Sequence, residues 1–324
     1  MQNCRVATAY TKVHVGNPEE NFNEILVAAH RFNPKPEILI FPELCMTGYT
    51  CGDLFNQSVL LENALVQTQR LAQYVGYNQI IVVGLPFAVG STIYNCAAVL
   101  NNTKIVGIVP KTYLANYKEF YEARWFCPAP QVKGWTVTIP AITKPRFQSD
   151  GHIKYKAYEV PFGTDLLFVG KDRKEIRVGI EICEDLWATI PPSSFQAVAD
   201  ATILLNLSAS NETVGKSEYR RALVQNQSAR CMASYVYSSA GPSESTSDLV
   251  FGGHCIIAEN GWVATETERF KMQDQLIAEI DLEKMINERR RTPTFSDSRR
   301  VLGHQIFREV EVIVEYDERV QNDQ

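Results

Sequence analysis

At 324 residues and 45% hydrophobic side chains, the chain has material for a sizeable core, which excludes a disordered segment or a small disulfide-stapled domain. Its 32 Lys and Arg against 37 Asp and Glu give a formal charge of −5, which offers no long-range attraction to nucleic acid or an anionic membrane and favours small-molecule chemistry. The opening Met1-Gln-Asn-Cys-Arg-Val lacks the apolar centre of a secretory signal, no apolar run reaches membrane-spanning length, and the eight cysteines (4, 45, 51, 96, 127, 183, 231 and 255) are dispersed, so a cytoplasmic protein with reduced thiols is expected.

Residues 5–9 form the first predicted strand. Asn17-Pro18-Glu19-Glu20 then supplies an N-cap, an N1 proline and first-turn acids, after which Phe22, Ile25, Leu26 and Ala29 recur at helical spacing. Strand 37–41 precedes a helix over 59–75, and strands 79–85, 93–100 and 104–109 follow, the last two separated by Asn101-Asn102-Thr103 as in a hairpin. Residues 128–163 hold five prolines (128, 130, 140, 145 and 161) and read as a long insertion between strands. Strands 166–169 and 175–182 flank Gly170-Lys-Asp-Arg-Lys174. Strand 201–207, a helix over 217–232 and strands 235–239, 255–258 and 275–280 complete the series, with Asn260-Gly261 as a tight-turn signal. These strands are too many for one small sheet, and their mixture of helix and hairpin connections predicts an α/β fold of two packed mixed sheets covered by helices. From 283 to 324, 8 Lys and Arg face 9 Asp and Glu, which reads as a solvated, charge-balanced extension with no nucleic-acid role. The expected division is therefore 1–285 and 286–324.

Four apolar strands end in distinctive polar groups. Ile38–Phe41 runs through Pro42 into Glu43, 105–109 through Pro110 into Lys111, 176–182 into Cys183, and 203–207 into Ser208-Ala209-Ser210. Open α/β sheets collect reactive groups at the carboxyl ends of strands. If these ends share a rim, a carboxylate, an ammonium and a thiol converge, a complete set for thiol attack on an amide or nitrile carbon without a cofactor. Taken singly, Cys183 reads better as core filling, Glu43 as a helix cap or surface charge, and Lys111 as a solvated strand end, and only their combination favours catalysis. A Cys–His pairing through His254 is the rival thiol mechanism, but His254 abuts Cys255 in a hairpin-like strand with no orienting partner in sight. The five histidines (14, 30, 152, 254 and 304) are scattered, Cys45 and Cys51 lack a second pair at zinc spacing, and no glycine-rich nucleotide loop occurs. No metal site is expected.

At this point the residues resemble the nitrilase superfamily of carbon-nitrogen hydrolases, whose Glu–Lys–Cys set is similar in type and order to Glu43, Lys111 and Cys183. The strings Phe41-Pro-Glu43-Leu-Cys-Met-Thr-Gly48-Tyr49, Pro110-Lys111-Thr-Tyr-Leu-Ala-Asn-Tyr117-Lys-Glu-Phe-Tyr-Glu122, Glu181-Ile-Cys183-Glu184-Asp185-Leu-Trp187, and Asn206-Leu-Ser-Ala-Ser210 running to Gly215-Lys216 look like those of the glutaminase domains of glutamine-dependent NAD synthetases. The resemblance covers most of 1–285. It implies a four-layer α-β-β-α nitrilase-like sandwich and hydrolysis of glutamine through a Cys183 thioester. Glu43 would be the proton acceptor and Lys111 the oxyanion stabiliser. Tyr117, Ser210 and Lys216 would bind glutamine, with Tyr49 and Glu184 as pocket neighbours.

The resemblance further implies homo-oligomerisation and an ATP- and magnesium-dependent synthetase domain that takes up the ammonia, in cis or in trans, to convert deamido-NAD to NAD. Ala115 and Asn211 stand where prolines are common in that family. The Ser-Gly-Gly-x-Asp-Ser type loop of the synthetase domain occurs nowhere here, so this polypeptide is expected to make ammonia but not NAD. A freestanding amidase or carbamoylase, and a non-catalytic binding module, are the alternative readings.

Overall fold

Apolar runs such as Ile38–Ile40 and Ile203–Leu205 set apolar side chains on both faces of a strand, and the fold buries both. The computed structural model describes residues 3–74, 77–141, 156–303 and 306–315. In chain order the elements are β1 (Asn3–Tyr10), α1 (Pro18–His30), β2 (Ile38–Ile40), α2 (Ser58–Tyr74), β3 (Ile80–Val89), β4 (Thr92–Asn101), β5 (Lys104–Pro110), β6 (Thr136–Ile139), β7 (Tyr158–Pro161), β8 (Leu166–Gly170), β9 (Arg177–Ile182), α3 (Pro192–Val198), β10 (Ile203–Ser208), α4 (Lys216–Cys231), β11 (Ser234–Ser239), β12 (Ile256–Glu259), β13 (Trp262–Glu266), β14 (Asp274–Asp281), α5 (Leu282–Arg291), α6 (Pro293–Leu302) and β15 (Arg308–Val312).

One sheet has the order β14-β1-β2-β3-β4-β5 and the other β13-β12-β11-β10-β9-β8-β15. Both are mixed: β1, β2 and β3 run parallel, as do β9, β10 and β11, while hairpins such as β3–β4 and β11–β12 are antiparallel. Val6, Ile38, Ile40 and Val82 of the first sheet meet Val178, Ile180, Ile182, Ile203 and Leu205 of the second in one buried layer. The intervening side chains point outward, as period two requires. Leu39, Ile81 and Val83 pack with Phe22 and Ile25 of α1 and Leu71 of α2. On the far side Leu204, Tyr235 and Tyr237 pack with Ala197 of α3 and Val224 of α4. The layers are therefore α-β-β-α, as the resemblance implied.

Local signals act as their chemistry dictates. Asn17 caps α1 by accepting the Glu20 N–H at 3.3 Å, with Pro18 next to it. Asn260 and Gly261 both take positive φ (46° and 85°), the backbone of a tight hairpin turn between β12 and β13. Helix α2 matches its predicted range except for Val75, which lies outside the described residues.

Other segments differ from expectation. Within the predicted 128–163 insertion, β6 and β7 pair antiparallel, and residues 142–155 lie outside the described residues. Among the described residues after 282 the chain is not a solvated tail: the 285/286 division falls inside α5, Leu282 and Met285 are fully buried between the sheets, and β15 adds a parallel strand beside β8. Its composition concealed this, because β15 alternates charge with valine and α5 buries only Leu282, Met285 and Arg289. Arg289 is buried by donating to the carbonyls of Met232, Ala201 and Cys231. Among the described residues no helix is long and apolar enough to cross a membrane.

Candidate active site

Parallel pairing of β9 and β10 sets Ile182 opposite Leu207, so Cys183 emerges beside Ser208 at the carboxyl edge of the second sheet. β2 and β5 of the first sheet end at the same rim. Two bonds join the sheets there: the Glu43 N–H donates to Ser208 O at 3.4 Å, and the Ala209 N–H donates to Glu43 Oε2 at 2.8 Å. The loop carrying Glu43 lies directly on β3. A Cβ at Gly84 would fall 2.2 Å from the Leu44 nitrogen, so only glycine lets that backbone approach.

Glu43 and Lys111 are each 1% exposed. The Lys111 ammonium donates to Glu43 Oε1 at 2.7 Å and to Glu122 Oε1 at 2.7 Å. Asn95 Nδ2 donates to Glu43 Oε1 at 2.6 Å, the Tyr49 hydroxyl to Glu122 Oε1 at 2.7 Å, and the Ala115 N–H to Glu122 Oε2 at 3.2 Å. Desolvation alone would push the lysine down, but the two carboxylates outweigh it and hold Lys111 well above the ordinary lysine range. Burial, offset by Lys111 and reinforced by Glu43, pushes Glu122 up to about 7. The cluster is an ammonium fixed between two carboxylates whose other lone pairs are largely engaged.

Cys183 closes the arrangement. Its φ of 47° puts a non-glycine residue in the left-handed region at the strand-to-turn junction, a conformation costing about 1–3 kcal/mol that the surroundings must enforce. The enforcing contacts are visible. The Cys183 N–H donates to Asn206 Oδ1 at 3.2 Å, and Asp185 accepts from the N–H groups of Ile182 (2.9 Å) and Tyr113 (2.8 Å), tying this turn to the segment after β5. Asn206 is itself held by Ser208 Oγ and the Tyr235 hydroxyl. Burial, then the Glu43 carboxylate, push the thiol up, against the opposing pull of Lys111 and a hydrogen bond from the Ala209 amide. At neutral pH the sulfur is therefore a protonated thiol beside a base, and its nucleophilicity depends on proton transfer.

Residues 112–122 form an arm over this rim. The Tyr117 hydroxyl, on a side chain 46% exposed, donates to Glu184 Oε2 at 3.0 Å, and burial raises Glu184. Ser210 is buried, and Lys216 opens α4 with its ammonium over the faces of Phe120 (5.4 Å) and Trp187 (5.2 Å). Tyr49 turns its hydroxyl inward to Glu122, and its ring borders a cavity of about 130 Å³ shared with Glu119, Phe120 and Leu249. Of the residues picked from sequence, Glu43 and Lys111 touch directly, Tyr117 touches Glu184, and Cys183 and Lys216 lie within each other's field. Sequence reasoning did not single out Glu122, Asn95 or Asn206. For the two asparagines the available signal was a lone amide inside an apolar strand, Asn95 in the 93–100 run and Asn206 in the 203–207 run, because a buried amide needs partners.

His254 is not near a thiol mechanism of its own. Its Nδ1 faces Arg220 at 3.1 Å and its Nε2 faces Glu266 at 3.2 Å. Among the described residues no group of three or more His, Cys, Asp or Glu side chains is disposed to hold a metal ion.

A family model for carbon-nitrogen hydrolases matches residues 5–290. The chain belongs to that family. Among curated relatives, a glutamine-dependent NAD(+) synthetase of Mycobacterium tuberculosis is 38% identical over 301 residues, covering 91% of this chain and 42% of the relative. The crystal structure of a glutamine-dependent NAD(+) synthetase from Cytophaga hutchinsonii superposes with a TM-score of 0.70 at 31% identity, over 86% of this chain and 43% of that one. This carbon-nitrogen hydrolase thus spans less than half the length of those proteins. A carbon-nitrogen hydrolase from Helicobacter pylori shares the fold along nearly its whole length, with a TM-score of 0.69 at 17% identity, covering 92% of this chain and 96% of that one.

Proposed function

We propose that this carbon-nitrogen hydrolase domain is a cysteine-dependent glutaminase, releasing ammonia from the side-chain amide of L-glutamine. The observation that carries the reading is the Lys111 ammonium fixed 2.7 Å from both Glu43 and Glu122, beside a thiol on a left-handed turn. Similarity to glutamine-dependent NAD synthetases supports glutamine as the substrate.

Each catalytic role follows from what its group can do. Glu43 takes the thiol proton as the Cys183 sulfur bonds to the amide carbon, and the carbonyl π electrons move to the oxygen. Lys111 cannot accept a proton, and its ammonium stabilises that oxyanion together with a backbone N–H near the nucleophile. One such donor is worth about 3 kcal/mol. Protonated Glu43 returns its proton to the nitrogen as the carbon–nitrogen bond breaks, which frees ammonia and leaves a glutamyl thioester on Cys183. Water, deprotonated by Glu43, then attacks the thioester carbon, and the thiol leaves with the proton restored. Glu184 with Tyr117 faces the substrate ammonium, whereas Lys216 and Ser210 face its α-carboxylate. Tyr49 acts on the substrate only through Glu122.

In the longer proteins this ammonia would feed an ATP- and magnesium-dependent amidation of deamido-NAD by a synthetase region outside the 324 residues. The test is ammonia release by the purified chain from glutamine, compared with a panel of other ω-amides and N-carbamoyl amino acids. Glutamine is expected to have the highest kcat/KM. Faster hydrolysis of any other amide or carbamoyl compound would favour a freestanding amidase or carbamoylase.

A further inference from the structure

Asn211 is only 3% exposed, with both ends of its carboxamide engaged. Nδ2 donates to Glu119 Oε1 at 2.6 Å, while Oδ1 accepts from the Lys216 ammonium. One amide therefore joins the 112–122 arm to the first residue of α4. Its own backbone is locked: Arg220 Nη2 donates to the Asn211 carbonyl at 3.0 Å, and the fully buried Arg220 is held by Glu212 at 2.8 Å and faces His254 Nδ1 at 3.1 Å. The aromatic faces flanking Lys216 confine its ammonium without orienting it, and the Asn211 carbonyl oxygen supplies the direction.

We infer that Asn211 is a positioning residue for substrate: it aims Lys216 at the α-carboxylate and, through Glu119, couples placement of the arm to occupation of that lysine. The inference rests on the assignment of Lys216 to the carboxylate of glutamine.

Glutamine kinetics of the full 324-residue chain and of Asn211→Ala, Asn211→Asp and Glu119→Gln test it. Alanine removes both bonds. Aspartate keeps the acceptor for Lys216 but loses the donor, repels Glu119 and sets a negative charge beside the incoming carboxylate. KM is expected to rise about tenfold in Asn211→Ala and further in Asn211→Asp, with kcat within about twofold of wild type. Glu119→Gln, at a half-exposed position that is safe for folding, is expected to raise KM by roughly threefold. A merely structural role would instead lower kcat and kcat/KM together, or make alanine worse than aspartate, and either result overturns the inference. Glutamine turnover by wild type with KM unmoved in the variants also overturns it alone, leaving the substrate assignment intact. Absence of glutamine turnover in wild type removes that assignment and this inference with it.

Discussion

Glu43 receives three donors, from Asn95, Lys111 and the Ala209 amide, so its orientation is fixed before any substrate arrives. Lys111 in turn is held by two carboxylates, Glu43 and Glu122, which together fix where a buried ammonium can sit. On this account Glu122 keeps the ammonium in place for the oxyanion. Glu122→Gln is expected to lower kcat about 100-fold with little change in KM, read from steady-state ammonia release. Wild-type kcat in that variant would reduce Glu122 to a structural part. Glu43, Lys111 and Cys183 were legible in the sequence because each directly follows an apolar strand. Glu122 was not, since it lies in an irregular segment brought under Lys111 by the bond from its own N–H to Ala115 O and by the pairing of β4 with β5. No periodicity records that placement.

At the scale of elements, the strands and the long helices announced themselves through period two, period 3.6 and their caps. The C-terminal elements did not. Helix α5 shows solvent Arg290 and Arg291 in its last turn, and its buried stripe is Leu282, Met285 and Arg289, so a charge count hides the side that packs. Arg289 substitutes for an apolar anchor by satisfying three carbonyl oxygens and stacking on Phe295 at 4.7 Å. Arg289→Ala would strand those acceptors in a buried site, and is expected to cost about 2–4 kcal/mol of unfolding free energy in urea titrations. A loss below about 1 kcal/mol would mean that α5 is held by Leu282 and Met285 alone. Strand β15 escaped for a related reason. An edge strand needs only one apolar face, and Val310 and Val312 alternating with acids provide that minimum.

Across the whole molecule, burial leaves a recognisable electrostatic signature. Glu37, Glu122, Glu181, Glu184, Asp185 and Glu244 are all raised, each chiefly by desolvation, and Asp185 is pushed up to about 8 with help from Glu181. The unfolded chain gives up protons near the ordinary carboxylate value of about 4, whereas the folded chain keeps them to higher pH. Between those limits the native state binds more protons, so stability present at low pH is lost as pH rises toward about 7 to 8. His254, lowered by burial and by Arg220, acts in the opposite sense below its ordinary value but is a single group. The urea midpoint is therefore expected to fall from pH 5.5 to pH 8, and a midpoint that rises over this range would contradict the account. The layered fold itself was readable from the strand count and connections, because two mixed sheets are the simplest way to bury so many two-faced strands. Which strand ends met at one rim was set by sheet order, and that information lies in no single segment.

The most direct test is to trap the covalent intermediate. Acid quenching during glutamine turnover, followed by intact-mass and peptide mass spectrometry, is predicted to show one glutamyl group on the peptide carrying Cys183, released by hydroxylamine and absent in Cys183→Ala, which loses ammonia release. Ammonia release that persists in Cys183→Ala, or a glutamyl adduct on any other residue, would contradict the central claim.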